Sequence, residues 1–251
     1  MQDTEERIDV LGVGFDDVSV DQAAARACDM IGRSGSGGKT YIVTPNPEIV
    51  WMARHSEPLR AALNGASLVL PDGIGIVYGA RILGTPVRSG RTPGIDFISA
   101  LFRKMAETGE SVFLLGAKPG VAEEAGERLA GKYPGLRISG SADGYFTDAE
   151  PVITQINAAE PGLLLVCLGA PKQELWMAEN ISRLNVGACA GLGGVLDVFA
   201  GRVKRAPAVF QKLGLEWLYR IVREPRRIRR SMKLPLFMLA VIWKRLGGAR
   251  G

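Results

Sequence analysis

Short runs of Val, Ile and Leu recur along the chain and alternate with longer stretches whose apolar residues return at helical spacing. The runs Ile8–Val13, Tyr41–Thr44, Leu68–Leu70, Val112–Leu115 and Leu163–Leu168 predict buried strands, and Val186–Ala190 predicts a weaker one. Between them, Val20–Ile31, Pro47–His55, Ile95–Thr108, Val121–Lys132 and Lys172–Asn180 predict helices. Strands alternating with helices at this spacing imply βαβ units. The fold class is therefore α/β: a Rossmann-like, mostly parallel sheet flanked by helices. Ser34–Gly38 reads as a flexible loop, and Asn64-Gly65 and Pro134-Gly135 as turn dipeptides. No internal repeat interrupts this order.

Open α/β sheets bind ligands outside the carboxyl ends of their strands. The polar clusters there are Thr44-Pro45-Asn46-Pro47, Pro71-Asp72-Gly73, Leu115–Gly120, Gly169–Glu174 and Gly191–Gly194. Asp72 fits two roles: an N-cap for a helix beginning near Ile74, or a general base at a strand end. Thr44 could cap the helix that Pro47 opens, or offer its hydroxyl to a ligand beside Asn46. Gly116–Gly120 and Gly193-Gly194 resemble phosphate-cradling turns, although neither completes a known nucleotide fingerprint. Gly12-Val13-Gly14 also lacks its third glycine. Lys172 and Gln173 follow Pro171 at an expected helix start, where they could reach a diphosphate or form a solvated first turn.

Charge divides the chain unevenly. Residues 205–251 hold 12 Lys/Arg against 2 Asp/Glu, whereas residues 1–204 hold 19 against 24. We therefore divide the chain into an α/β core, 1–204, and a basic C-terminal appendage, 205–251. Seven basic residues and one acid, Glu224, lie between Arg220 and Lys233, followed by the apolar run Leu234–Trp243. That run is half the length a membrane span needs. A basic segment followed by a short apolar one with Trp243 suits a peripheral membrane anchor, although Leu234–Leu246 could instead pack as a core or oligomer helix. Nucleic-acid binding fits poorly, because no aromatic residues interleave with the arginines.

Other chemistries find few residues. The three cysteines are far apart and the single histidine, His55, reads as a surface residue on a helix beside Arg54, so no Ser/His/Asp or Cys/His set assembles. No metal-ligand spacing and no Asp-x-Asp motif occurs, so no metal or cofactor is expected. The polar start MQDTEERIDV argues against a secretory signal.

Taken in order, TPNPE (44–48), LPDGIGIV (70–77), GRTPGIDF (90–97), FLLGAKPG (113–120), DGYF (143–146), LGAPKQE (168–174) and GLGGVLDVFAG (191–201) resemble the WecG/TagA/CpsF family, glycosyltransferase family 26, over roughly residues 8–233. The resemblance implies inverting, metal-independent transfer of a sugar from UDP to an undecaprenyl-diphosphate-linked sugar. The sugar would be N-acetylmannosamine, N-acetylmannosaminuronic acid or glucose, destined for a cell-surface polysaccharide. It further implies that Asp72 is the base, with Thr44 beside it. Arg91 and Gln173 would contact donor or acceptor, Tyr145 would stack on uracil and Asp197 would hydrogen-bond it. Arg220, Arg227 and Arg230 of the appendage would meet the diphosphate. Asn46, Gly116 and Lys172 complete the expected binding set.

The expected partners are thus a UDP-sugar donor, a polyprenyl-diphosphate-linked acceptor and the cytoplasmic face of the plasma membrane, with a homo-oligomer left open. Two other readings stand beside this one. A nucleotide-sugar epimerase or dehydrogenase would need a complete glycine fingerprint. A non-catalytic, membrane-associated nucleotide-sugar or lipid-binding protein would have no use for an intact Asp72, Thr44 and Gln173.

Overall fold

The computed structural model describes residues 7–32, 40–223 and 233–247. It opens with an antiparallel hairpin, β1 (Ile8–Val10) and β2 (Val13–Phe15), in which Val10 pairs with Val13. The single strand expected over Ile8–Val13 is therefore two. Leu11 and Gly12 both adopt positive φ, 56° and 91°, as a two-residue hairpin turn requires. An apolar Leu in that turn disguises it as strand.

The main sheet contains β3 (Thr40–Val43), β4 (Leu68–Val69), β5 (Ser111–Gly116), β6 (Arg137–Ala142), β7 (Leu163–Cys167) and β8 (Ala188–Gly191). All pairings are parallel, in the order β4-β3-β8-β7-β5-β6. Every residue of β5, β7 and β8 is buried. Helices cover both faces, which is why these strands read as unbroken apolar runs. On one face lie α1 (Val20–Gly32), α5 (Gly94–Thr108), α6 (Val121–Lys132) and α9 (Val195–Phe199), contributing Ala24, Phe102, Leu129 and Phe199 to the core. On the other lie α2 (Pro47–Ala53), α3 (Glu57–Asn64), α4 (Ile74–Leu83), α7 (Glu150–Ala159) and α8 (Lys172–Asn180), contributing Val50, Leu63, Ile76, Ile156 and Trp176.

Three of these elements lack a strong sequence signal. β6 is an edge strand of small and polar residues, Arg-Ile-Ser-Gly-Ser-Ala, and no residue in it is fully buried. α3 follows α2 after only three residues, with Ser56 Oγ accepting from the Leu59 N–H at 3.4 Å as its cap. α7 shows its apolar face, Val152, Ile153 and Ile156, only once β6 is in place beside it.

The chain continues into α10 (Ala208–Lys212), α11 (Glu216–Arg223) and α12 (Lys233–Arg245). Of the two readings of the apolar run, packing into the core holds for one face of α12. Phe237, Ala240 and Val241 join the cluster formed by α2 and α4. α4 permits this close approach through Gly79, where an added Cβ would lie 3.1 Å from the Phe237 ring. Ion pairs secure both ends of α12: Lys233 to Glu48 at 3.5 Å and Lys244 to Asp9 at 2.6 Å. The other side of α12 exposes Leu236, Leu239, Ile242 and Trp243. Among the described residues, no helix is long and apolar enough to cross a membrane.

Phe237→Ala should therefore destabilise the protein by about 3–5 kcal/mol, as cavity-forming aromatic truncations do. Leu239→Ala, on the exposed side, should change stability by no more than about 0.5 kcal/mol. Urea unfolding of the two variants checks the contrast.

Candidate functional site at the carboxyl edge of the sheet

The six parallel strands bring every polar cluster of the sequence to one edge. Pro71-Asp72 follows β4, Thr44–Asn46 follows β3, Leu192–Gly194 follows β8, Leu168–Pro171 follows β7, Ala117–Gly120 follows β5 and Asp143–Tyr145 follows β6. Across the sheet from β3 to β6, neighbouring strands send the chain to opposite faces, whereas β4 and β3 lead to the same one. β3 leads to α2 on one face, β8 to α9 on the other, β7 to α8 on the first and β5 to α6 on the second. Such reversals open a crevice between the departing loops.

Backbone pairing draws the first half of the site together. Beyond the ends of β3 and β4, the Leu70 N–H donates to the Val43 carbonyl at 2.9 Å and the Asp72 N–H to the Pro45 carbonyl at 3.4 Å. The Thr92 N–H donates to the Pro71 carbonyl at 2.9 Å, which brings the loop carrying Arg91 against the same segment. Asp72 is half-buried here. It does not occupy the cap position of α4. That position belongs to Gly73, whose φ of 97° suits glycine and which has no side chain with which to cap. The capping account of Asp72 is thereby corrected. So is that of Thr44, because Asn46 caps α2, its Oδ1 accepting from the Ile49 N–H at 3.1 Å. An extended residue must precede Pro47 at the first helical turn, and Asn46 supplies that conformation. Thr44 is buried, and its Oγ1 donates to the Gly191 carbonyl at 3.2 Å, linking β3 to the glycine loop after β8.

A chain of alternating charges borders this half. Arg91 Nη1 donates to Glu216 Oε1 at 2.8 Å, and its Nη2 donates to the Gln211 carbonyl. Arg205 forms a bidentate pair with Asp96 at 2.6 and 2.8 Å, and its Nε lies 3.8 Å from Glu216 Oε2. Burial opposes the charge on Arg205. Its hydrogen bonds and attraction to Asp96, with Glu216 and Asp72 adding to them, raise its pKa nonetheless. Arg205 is thus a cation in the electrostatic field of Asp72. The charge pattern marks Arg205 as the start of the appendage, but no motif assigns Arg205, Asp96 or Glu216 to the site. One signal was available: Glu216 is one of only two acids among the 47 residues from 205 to 251.

The second half lies over β5, β7 and β6. Gly116 has φ 130°, and a Cβ there would lie 2.3 Å from the Cys167 carbonyl oxygen, so only glycine lets β5 and β7 run this close at their ends. Lys172 Nζ donates to the Gly144 carbonyl at 3.1 Å and stands 4.7 Å from the centre of the Phe146 ring, fastening the loop after β6 to α8. The Asp143 carboxylate accepts from the Tyr145 N–H at 2.8 Å within that loop. Tyr145 itself is 69 % exposed, with its ring available to a planar partner. Asp197 occupies the first turn of α9, half-buried, and its carbonyl accepts from the Arg202 and Val203 N–H groups.

Gln173 joins the halves. It is 3 % exposed; its Oε1 accepts from the Gly193 N–H at 2.9 Å and its Nε2 donates to Glu174 Oε1 at 2.8 Å. Its amide thus holds the glycine loop in place, and the Gly193 N–H is engaged by protein. Arg220 falls on α11, but its side chain lies outside the described residues, as do Arg227 and Arg230 entirely. Cys167, beneath this region, has its thiol pushed up to about 12 by burial and stays a neutral packing group.

Glu174 is 1 % exposed, and among the described residues its Oε2 finds no hydrogen-bond partner. Burial raises its pKa, only partly opposed by the hydrogen bond from Gln173. A carboxyl raised in the folded state contributes stability that is present below its unfolded pKa and lost as pH rises through the folded one. Glu174→Gln should therefore be more stable than wild type at pH 8, and the difference should vanish near about pH 4. Thermal unfolding across that range checks the sign.

Known proteins resemble this chain along most of its length. One relative from Bacillus spizizenii, an N-acetylglucosaminyldiphosphoundecaprenol N-acetyl-beta-D-mannosaminyltransferase, is 39% identical over 202 residues, 80% of this chain and 78% of its own. A protein of the same name from Staphylococcus aureus strain MW2 is 33% identical over 235 residues, 94% of this chain and 92% of its own. The sequence profile described as the glycosyl transferase WecG/TagA/CpsF family matches residues 8–251. With the ordered motifs gathered at a single edge of the sheet, the chain belongs to the WecG/TagA/CpsF family of glycosyltransferases.

Proposed function

We propose that the chain moves N-acetylmannosamine from UDP onto an N-acetylglucosaminyl-diphosphoundecaprenol acceptor, with inversion, at the cytoplasmic face of the membrane. The observation that carries this reading is that Asp72, Thr44 and Arg91 stand on adjoining segments of the carboxyl edge, with Glu216 between Arg91 and Arg205 at its border. The relatives' names supply the sugar and the lipid. N-acetylmannosaminuronic acid and glucose, the other donors that the resemblance allows, have no counterpart in those names.

In the proposed step the Asp72 carboxylate takes the proton of an acceptor hydroxyl. That oxygen attacks the anomeric carbon, and the bond from this carbon to the UDP oxygen breaks, with its electron pair leaving on the diphosphate. A single displacement needs one carboxylate on the attacking side and positive charge on the departing side. Arginine is suited to the second task because its planar fork matches phosphate oxygens. The family resemblance assigns this task to Arg220, Arg227 and Arg230 of the appendage, in addition to Arg91. We assign no metal to the step. Tyr145 and Asp197, on the far half of the edge, suit a uracil ring and its polar rim. The exposure of the Tyr145 ring supports that role.

Membrane attachment is supported by the apolar side chains that the C-terminal helices leave uncovered. α11 exposes Trp217, Leu218 and Val222; α12 exposes Leu236, Leu239, Ile242 and Trp243, and Leu246 follows at 80 % exposure. Basic residues near an anionic leaflet add about 1 kcal/mol each, so the arginine-rich stretch and this apolar surface reinforce each other.

UDP release from UDP-N-acetylmannosamine should depend on a polyprenyl-diphosphate-N-acetylglucosamine acceptor. Release that ignores the acceptor would leave the nucleotide-sugar or lipid-binding reading in its place. In the same assay Asp72→Asn should lower turnover by about 10²–10⁴-fold, the usual contribution of a general base, while UDP affinity stays within about twofold. Leu239→Asp combined with Trp243→Asp should reduce co-sedimentation with anionic vesicles and leave the unfolding midpoint unchanged. Equal co-sedimentation would remove α12 from the membrane surface.

A further inference from the structure

Glu216 has no part in the chemistry set out above, yet it pairs with two arginines between the C-terminal helices and the edge that carries Asp72. Its carboxylate accepts from Arg91 Nη1 at 2.8 Å through one oxygen and faces Arg205 Nε at 3.8 Å through the other. Its side chain is 15 % exposed. Arg91 continues into the Gln211 carbonyl, and Gln211 Nε2 donates to the Ala206 carbonyl at 2.6 Å. Gly214, between α10 and α11, lies so close to α4 that an added Cβ would be 2.9 Å from Ile74 Cβ. α11 otherwise turns Trp217, Leu218 and Val222 to the outside. Tyr219 packs on Phe210 of α10 at 5.6 Å between ring centres, and Ile221 is half-buried, but none of the described side chains of α11 itself is fully buried. Apolar burial therefore fixes α11 only weakly, and directional contacts add what it lacks.

We propose that Glu216 is a positioning residue that registers α10 and α11 against the edge carrying Asp72. Resting on the transferase reading above, the role is to keep these two helices in register with Asp72 and Arg91, where acceptor and departing diphosphate would meet. Two features favour a carboxylate here over a neutral amide. It faces two guanidinium groups, and an amide could satisfy only one of them as acceptor while turning its N–H₂ toward the other. It also links a core arginine, Arg91, to the arginine that opens the appendage, Arg205, so one side chain ties both segments. Arg205 is already held by Asp96 through both terminal nitrogens, which leaves its Nε as the face turned to Glu216.

The test pairs amide hydrogen exchange with transfer kinetics on the full chain. In Glu216→Gln, exchange across residues 208–223 should quicken at least about tenfold (a local opening of about 1.4 kcal/mol), while the strands exchange as in wild type. The kcat/KM for the lipid acceptor should fall at least about tenfold with the Kd for UDP within about twofold. Glu216→Asp, which keeps the charge, should recover part of both. Unchanged exchange in Glu216→Gln would overturn the proposal. So would a loss of UDP affinity matching the loss of turnover, because that marks Glu216 as a donor contact. Wild-type protein inactive toward the lipid acceptor would instead count against the transferase reading, and the exchange measurement would still decide the role of Glu216.

Discussion

A strand buried on both faces can keep polar side chains only at its ends, and this constraint organises the molecule. β5, β7 and β8 are buried at every residue, with helices on both sides. Because all six strands run parallel, their carboxyl ends share one edge, and residues as distant in sequence as Thr44 and Gly191 become hydrogen-bonded neighbours. From β3 to β6, helices leaving alternately to the two faces keep that edge open. The site is thus a consequence of strand direction and burial, and the loops need supply only the particular side chains.

Electrostatics then selects what this edge can hold. Arg91, Arg205, Asp96 and Glu216 alternate in sign, and Asp72 adds one more negative charge in reach of Arg205. Exposed ion pairs of this kind contribute little to stability, and these are only partly shielded. Their value is directional: a bidentate Arg205–Asp96 contact and a two-sided Glu216 allow one arrangement of α10 and α11 where apolar packing would allow several. On the other half of the edge, neutral groups do the equivalent work. Gln173 engages Gly193 and Glu174 at once, and Lys172 fastens the loop that carries Tyr145.

How much of this could be read from the sequence depended on whether a residue's surroundings are local. β5 and β7 are legible because burial on both faces leaves a continuous apolar run. β6 is not, because an edge strand of Ser, Gly and Ala has no such pattern. The hairpin turn at Leu11-Gly12 hides because its first residue is apolar. The strand-end clusters of Asp72, Thr44 and Gln173 stand out as polar interruptions in apolar surroundings. Their local partners were harder to read: Asn46 rather than Thr44 caps α2, since the cap depends on which residue is extended before Pro47. Arg205, Asp96 and Glu216 leave no such mark, because Asp96 lies 109 residues from Arg205 and Arg91 lies 125 from Glu216, and pairs so distant have no periodicity.

The two sides of α12 show why an apolar tail need not choose between core and membrane. Phe237 and Val241 are four residues apart on one face and fully buried; Leu239, Ile242 and Trp243 lie on the other and face outward. A helix apolar all round would ordinarily be buried all round, so its outer face has either a second surface to meet or a cost to bear. The inner face, through Gly79 of α4 and the ion pairs at Glu48 and Asp9, holds that outer surface at a fixed orientation to the sheet. The α10–α11 segment is thereby bounded by docked chain on both sides, Arg205 before it and α12 after it. A segment tied at two ends samples far fewer arrangements than one tied at a single end. The contacts of Glu216 therefore have only a small conformational range to narrow, which is why one carboxylate between two arginines suffices to set it.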